Sequence, residues 1–227
     1  MYIPPMFREE RPEMLHGLIR AHPLATLVTQ GANGLTANLI PFILIPGDGG
    51  PDILRAHLAR GNAQLDDLRA GGEALVIFQG PQAYISPSWY PTKREHGKVV
   101  PTWNYVVVQA WGRPRVIEAA DWLLDQIGAL TTLEEGGRAE PWSVADAPAD
   151  FIAAQLRGIV GVELPIDRIE GKWKASQNQP GANRKGVVDG LRGDGGCAAA
   201  MAAQTSCAPT WRGATSNWRT CARAARR

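Results

Sequence analysis

Two apolar runs joined by a turn too short for anything but a chain reversal place the first constraint on this fold. Leu24-Ala25-Thr26-Leu27-Val28-Thr29 has strand character, Gly31-Ala32-Asn33-Gly34 supplies turn formers, and a return strand runs from Leu35 to Leu44. Such a hairpin makes its two strands antiparallel neighbours. Further strands are predicted at Ile53 to Ala59, from Leu75-Val76-Ile77-Phe78 on toward Ser86, and at Ile159 to Ile169. A long apolar strand from Val99 to Glu118 is broken by Pro101 and by Gly112-Arg113-Pro114, since proline lacks a ladder donor. Helices are predicted from Arg11 to Ala21, where Met14, Leu15, Leu18 and Ile19 recur at helical spacing, and after Asn62, with Leu65 and Leu68 inward. Another is capped by Asp121 and carries a Trp122, Leu123, Gln126, Ile127 and Leu130 stripe; short ones follow near Pro148 and from Arg184 to Leu191. Pro87–Lys98 reads as a loop. Five or six antiparallel strands, with helices at the start and after the fifth, predict an α+β protein whose sheet closes into a barrel with peripheral helices.

Charge divides the chain. Of 24 basic and 22 acidic residues, Arg192, Arg212, Arg219, Arg223, Arg226 and Arg227 lie beyond residue 191 with Asp194 as the sole acid, so residues 1–191 carry a net charge of −3. That body lacks the broad basic surface a phosphate backbone selects for. Cys197, Cys207 and Cys221 also lie in the tail, at spacings that match no metal hook. From Gly193 to Arg227 there is no Val, Leu or Ile. Residues 1–191 therefore read as the folded domain. Residues 192–227 read as an Arg/Ala/Cys-rich tail, either disordered or the product of GC-rich DNA read in a wrong frame. No apolar run approaches the ~20 residues of a membrane span, and the N-terminus is no secretory signal, which predicts a cytoplasmic protein.

Several phrases carry a resemblance. They are Met1-Tyr2-Ile3-Pro4-Pro5-Met6-Phe7, Ala56-His57-Leu58-Ala59-Arg60-Gly61-Asn62, Ala83-Tyr84-Ile85-Ser86-Pro87-Ser88-Trp89-Tyr90 and Lys98-Val99-Val100-Pro101-Thr102-Trp103-Asn104-Tyr105. To these are added Lys172-Trp173-Lys174-Ala175-Ser176-Gln177-Asn178-Gln179-Pro180 and Gly186-Val187-Val188-Asp189-Gly190-Leu191. In this order they resemble the PaiB-like FMN-binding negative transcriptional regulators, over nearly all of residues 1–191. The resemblance implies an FMN-binding split β-barrel of the kind pyridoxamine-phosphate oxidases use. It also implies a homodimer with FMN in the groove between subunits, and a repressor role.

FMN needs a cationic or hydrogen-bonding cradle for its phosphate and a flat slot for its ring system. By alternation, Arg55 and His57 share one strand face and Leu54, Ala56 and Leu58 the other, with Arg60 and Asn62 at the strand's end. That is a ligand groove or a solvated face with an ordinary cap. Thr36 and Asn38 share a face with Ile40, suited to flavin contacts or to plain exposure. Lys98 and Thr102 flank Pro101, where a bulge would aim side chains at a ligand or partner subunit. Lys174 and Gln177 belong to a polar cluster that holds phosphate or ends the sheet. Trp89, Tyr90 and Trp103 suit core or dimer contacts better than flavin stacking.

Three functions remain open. The first is an FMN-binding regulator. No helix-turn-helix is legible, because the helices near 121–135 and 148–157 are joined by a long link and the first is acidic; direct DNA contact has no motif behind it. The second is an FMN-dependent oxidoreductase, of flavin-reductase or pyridoxamine-phosphate-oxidase type, since the cofactor carries the electrons. The third is a haem-handling or cofactor-free module on the same barrel. No catalytic motif and no metal-ligand spacing stands out.

Overall fold

The computed structural model describes residues 1–207, arranged as two units. One comprises Pro23–Phe78 and Gln109–Ile169; the other comprises Met1–His22, Gln79–Val108 and the chain from Glu170 onward. Ten strands are present among the described residues, more than the five or six expected. In chain order they are β1 (Arg8–Glu9), β2 (Leu24–Gly31), β3 (Gly34–Pro41), β4 (Ile43–Ile45), β5 (Ile53–Ala59), β6 (Ala74–Ile85), β7 (Thr102–Gly112), β8 (Arg115–Ile117), β9 (Ile159–Pro165) and β10 (Arg168–Lys174). The helices are α1 (Pro12–Ala21), α2 (Gln64–Arg69), α3 (Thr92–His96), α4 (Ala120–Glu135), α5 (Ala149–Arg157), α6 (Gly181–Asp194) and α7 (Gly196–Cys207).

In the unit that begins at Pro23, the predicted hairpin is β2–β3, paired in register from Leu24↔Pro41 to Gly31↔Gly34. Its loop is the dipeptide Ala32-Asn33, and Gly34 takes φ +98°, a conformation glycine adopts without a Cβ penalty. The return strand is not continuous to Leu44. It breaks at Phe42, so that β3 pairs with β2 while β4 joins a second sheet of order β4-β5-β9-β8. The break is held by core packing: Phe42 is buried, its N–H donates to the Pro23 carbonyl at 2.9 Å, and its ring meets Phe78 edge-on at 6.1 Å. Leu54, Ala56 and Leu58 on β5 are buried, as alternation requires. β9 pairs with β5 so that Gly161 sits opposite His57, and the Trp122 indole of α4 occupies the space a Cβ at Gly161 would need. Here α4 begins one residue before Asp121, with Ala119 at the cap, and Asp121 accepts the Trp122 N–H rather than capping the helix.

In the other unit the strand order is β1-β10-β7-β6. The α1 stripe is as predicted, with Met14, Leu15, Leu18 and Ile19 buried. The buried Glu9 carboxylate accepts from Arg11 Nε (2.9 Å), Arg11 Nη2 (2.6 Å) and the backbone N–H groups of Glu10 and Arg11, fixing the chain as it enters α1. The stretch 87–98 is not all loop: a 3-10 turn, Pro87–Trp89, and α3 lie within it. Strand β7 starts at Thr102, after Pro101, rather than at Val99. Trp89 packs its indole against Gly190 of α6, where any side chain would clash.

The tail also differs from expectation up to Cys207. Past residue 191, α6 continues to Asp194 and α7 buries Met201, Ala202 and Thr205. An alanine-rich run has the strongest intrinsic helix preference of any composition, and one methionine supplies the apolar anchor that Val, Leu and Ile would otherwise provide. The rest of the expected disordered or frame-shifted segment, residues 208–227, lies outside the described residues.

The Gly161–Trp122 fit yields a stability test. Gly161→Val is expected to cost about 1–3 kcal/mol in urea unfolding, and the cost should shrink in a Trp122→Ala background, because the clash is with that ring. Equal cost in both backgrounds would disprove the fit.

Candidate cofactor site

Strand β5 places Arg55 and His57 on the face opposite its core residues. Arg55 Nη2 pairs with Glu163 Oε1 on β9 at 2.8 Å, and its guanidinium lies 5.4 Å from the centre of the Trp122 ring. The Trp122 Nε1–H donates to the same Glu163 oxygen at 3.1 Å. One carboxylate thus meets both the cation and the indole. Arg55 Nε and His57 Nδ1 are nevertheless buried without a hydrogen-bond partner among the described residues. Burial holds the His57 imidazole below its ordinary pKa.

Thr36, Asn38 and Asn62 come together through a residue that sequence reasoning passed over, Gln64. Its Nε2 donates to the Leu27 carbonyl (3.1 Å), Thr29 Oγ1 (3.1 Å) and the Thr36 carbonyl (3.3 Å), and its Oε1 accepts from Asn38 Nδ2 (2.9 Å). Asn62 Oδ1 accepts the Gln64 backbone N–H at 2.9 Å and so serves the start of α2, although Ala63 rather than Asn62 occupies the cap position. A glutamine in the first turn of a short helix looks like a solvated residue in sequence. Its only signal was the asparagine two positions earlier. Arg60 is spent on its surroundings: it donates to the carbonyls of Arg157 and Ile159 and pairs with Glu118 at 3.1 Å. Hydrogen bonds from Arg60 and Arg69 hold the exposed Glu118 carboxyl below its ordinary range.

In the other unit, Thr102 and Lys174 meet: Lys174 Nζ donates to Thr102 Oγ1 and, at 2.7 Å, to the Trp103 carbonyl. Desolvation and the neighbouring Lys172 charge push the Lys174 ammonium pKa down. Gln177 acts as a brace, accepting from the Ala175 N–H and donating to the Met6 and Trp173 carbonyls. Lys98 is exposed at the edge of a cavity. Of the three aromatic residues, Tyr90 is core, Trp89 packs on α6, and Trp103 is exposed with Tyr84 edge-on at 6.0 Å.

Residues 1–168 match the family described as "Putative FMN-binding domain". The chain belongs to this FMN-binding family. Among relatives it is similar to an uncharacterised protein of Emericella nidulans, 33% identical over 226 residues, covering 84% of this chain and 90% of that protein. It is also similar to the Bacillus subtilis protease synthase and sporulation protein PAI 2, 30% identical over 194 residues, with 86% of this chain and 90% of that protein covered. Among solved structures, the FAD and heme binding protein from Mycobacterium smegmatis aligns with a TM-score of 0.55 at 22% identity, over 74% of this chain and 73% of that one. The PaiB-like resemblance is therefore a family relationship, the fold is the α+β split barrel, and FMN is the cofactor.

The residues present fit such a group. A buried guanidinium N–H and a buried imidazole nitrogen without partners are costly in a finished site and natural where an anionic ligand completes the bonding. Arg55 and His57 are the residues that would hold such a group on this unit, and the flavin would supply the redox chemistry when bound. Glu163 and Trp122 hold the guanidinium in place.

A pH test follows from His57. Its folded pKa lies below the ordinary 6.5, so as pH falls the unfolded chain takes up the proton first. The stability it contributes is present above that value and is lost as pH drops through 6.5 toward the lower folded pKa. Urea midpoints of flavin-free protein should fall from pH 8 to pH 5, and His57→Gln should flatten that slope. An unchanged slope in the variant would refute the assignment.

Proposed function

We propose that this chain is a cytoplasmic, homodimeric FMN-binding negative regulator that exerts repression without reading DNA itself. The observation that carries the flavin part is the pair of unpartnered nitrogens on β5 in a chain of an FMN-binding family. The relationship to PAI 2, whose name ties that protein to sporulation, supports the regulatory part.

The dimer reading rests on the outer face of β3, β2 and β6. Register aligns Leu39 with Thr26 and Ile77 in one row, and Ala37 with Val28 and Leu75 in the next. Leu24, Leu35 and Leu39 are 58%, 75% and 65% exposed, and no charged side chain interrupts these rows. A monomer seldom leaves such a face to water. A second copy is its natural cover, because uncharged rows of small and large apolar groups are self-complementary about a two-fold axis. Direct DNA reading finds no support in α4 and α5, which are separated by residues 136–148, while α4 carries Asp121, Asp125, Glu134 and Glu135.

Three outcomes are expected. Gel filtration with light scattering should give a dimer that Leu35→Asp with Leu39→Asp converts to monomer. Arg55→Met should weaken FMN binding at least ~10-fold, worth about 1.4 kcal/mol, in a flavin fluorescence titration. A gel shift at physiological salt should show no sequence preference. Rapid reduction of the bound flavin by NADH or NADPH in stopped flow, without any effect on gene expression, would replace the regulator with an FMN-dependent oxidoreductase.

A further inference from the structure

A cavity of about 240 Å³ lies in the unit that begins at Met1, between α3, the segment leading into β7, and the first turn of α6. Its frame is rigid. The side chain of Asn183, 3% exposed, accepts from the Thr92 hydroxyl (3.2 Å) and donates to Thr92 Oγ1 (3.0 Å) and Gln179 Oε1 (3.1 Å), tying α3 to the start of α6. Gly97, at φ +66°, closes α3, and the Lys98 N–H then donates to His96 Nδ1 at 3.0 Å. With Nδ1 accepting, the neutral imidazole carries its proton on Nε2 and presents a donor there.

None of the described residues lining the cavity is acidic. Its polar lining residues are Lys98, His96, Tyr90, Thr92, Gln179 and Asn183. Tyr90 is 4% exposed. Val99, Val100 and Pro180 supply an apolar wall. The first turn of α6 adds the positive end of a helix dipole to that side. Donors and a cation at one place, beside apolar wall, in a volume below that of sites for drug-sized ligands, define the occupant's chemistry.

The geometry points to a second ligand site here, one that takes a compact organic anion with a carboxylate or phosphate head and a small apolar body. Lys98 meets its charge, His96 and Tyr90 donate hydrogen bonds to its head, and the valines with Pro180 cover its body. This site does not depend on the flavin reading, since none of the β5 residues belongs to it.

The test is calorimetric titration of the full FMN-loaded chain with benzoate, phenyl phosphate and inorganic phosphate, with flavin absorbance followed in parallel. One equivalent of benzoate or phenyl phosphate per chain should bind saturably, and the tighter of the two identifies the head group. Lys98→Gln should weaken binding ~10-fold, Lys98→Arg should retain it, and Tyr90→Phe should lower it several-fold. Absence of saturable binding by either organic anion overturns the proposal, as does equal binding in Lys98→Gln. Inorganic phosphate binding as tightly as phenyl phosphate would remove the apolar part of the assignment. Displacement of FMN by the anion would show that the two compete for one site and would overturn a separate one. FMN affinity, read independently from the absorbance, separates any failure here from a failure of the flavin reading.

Discussion

A guanidinium taken partly out of water must have its charge met, and in the unit that begins at Pro23 much else depends on how that is done. Glu163 on β9 pairs with Arg55 on β5, and the same oxygen receives the Trp122 indole N–H. The carboxylate therefore fixes the position of α4 over the sheet as well as the cation, and Gly161 is needed so that the indole can lie against β9. Removing one member of such a set leaves an uncompensated buried group, which costs more than the pair itself contributes. Because Glu163 fully engages only one end of the guanidinium, the Nε–H is left over beside His57, and that remainder is what a ligand can use.

The β2–β3 hairpin follows the same rule with neutral groups. Gln64 is nearly inaccessible, and its amide meets carbonyls of Leu27 and Thr36 together with Thr29 Oγ1 and Asn38. Satisfying the amide completely makes α2 a clamp across the hairpin, so the inward polar face of β3 is consumed internally. Leu35, Ala37 and Leu39 of β3 consequently point outward, while Ile40 is buried on the inner face. Polar groups thus face α2 while Leu35 and Leu39 face solvent.

Family membership and geometry speak to different questions. The family match carries the cofactor; the geometry shows that Arg55 Nε and His57 Nδ1 on β5 are buried without hydrogen-bond partners among the described residues. Arg60, Gln177 and Lys174 looked equally suitable by residue type, yet each is already engaged with carbonyls or neighbouring side chains. Residue type names candidates, and hydrogen-bond accounting decides which retain capacity.

Local patterns were legible wherever one strand or helix carried the whole signal. The alternation of β5, the α1 stripe, the two-residue hairpin and the Asn62 bond to the start of α2 all follow from period and turn chemistry within a few residues. Not legible was anything decided by residues distant in sequence: the break at Phe42 that moves β4 to another sheet, the Gln64 clamp and the Glu163 pairing. Sequence by itself determined which residues share a face, because backbone geometry imposes that at short range. Only tertiary structure decided which face is buried and which polar atoms stay unpaired, because those depend on partners supplied from a hundred residues away.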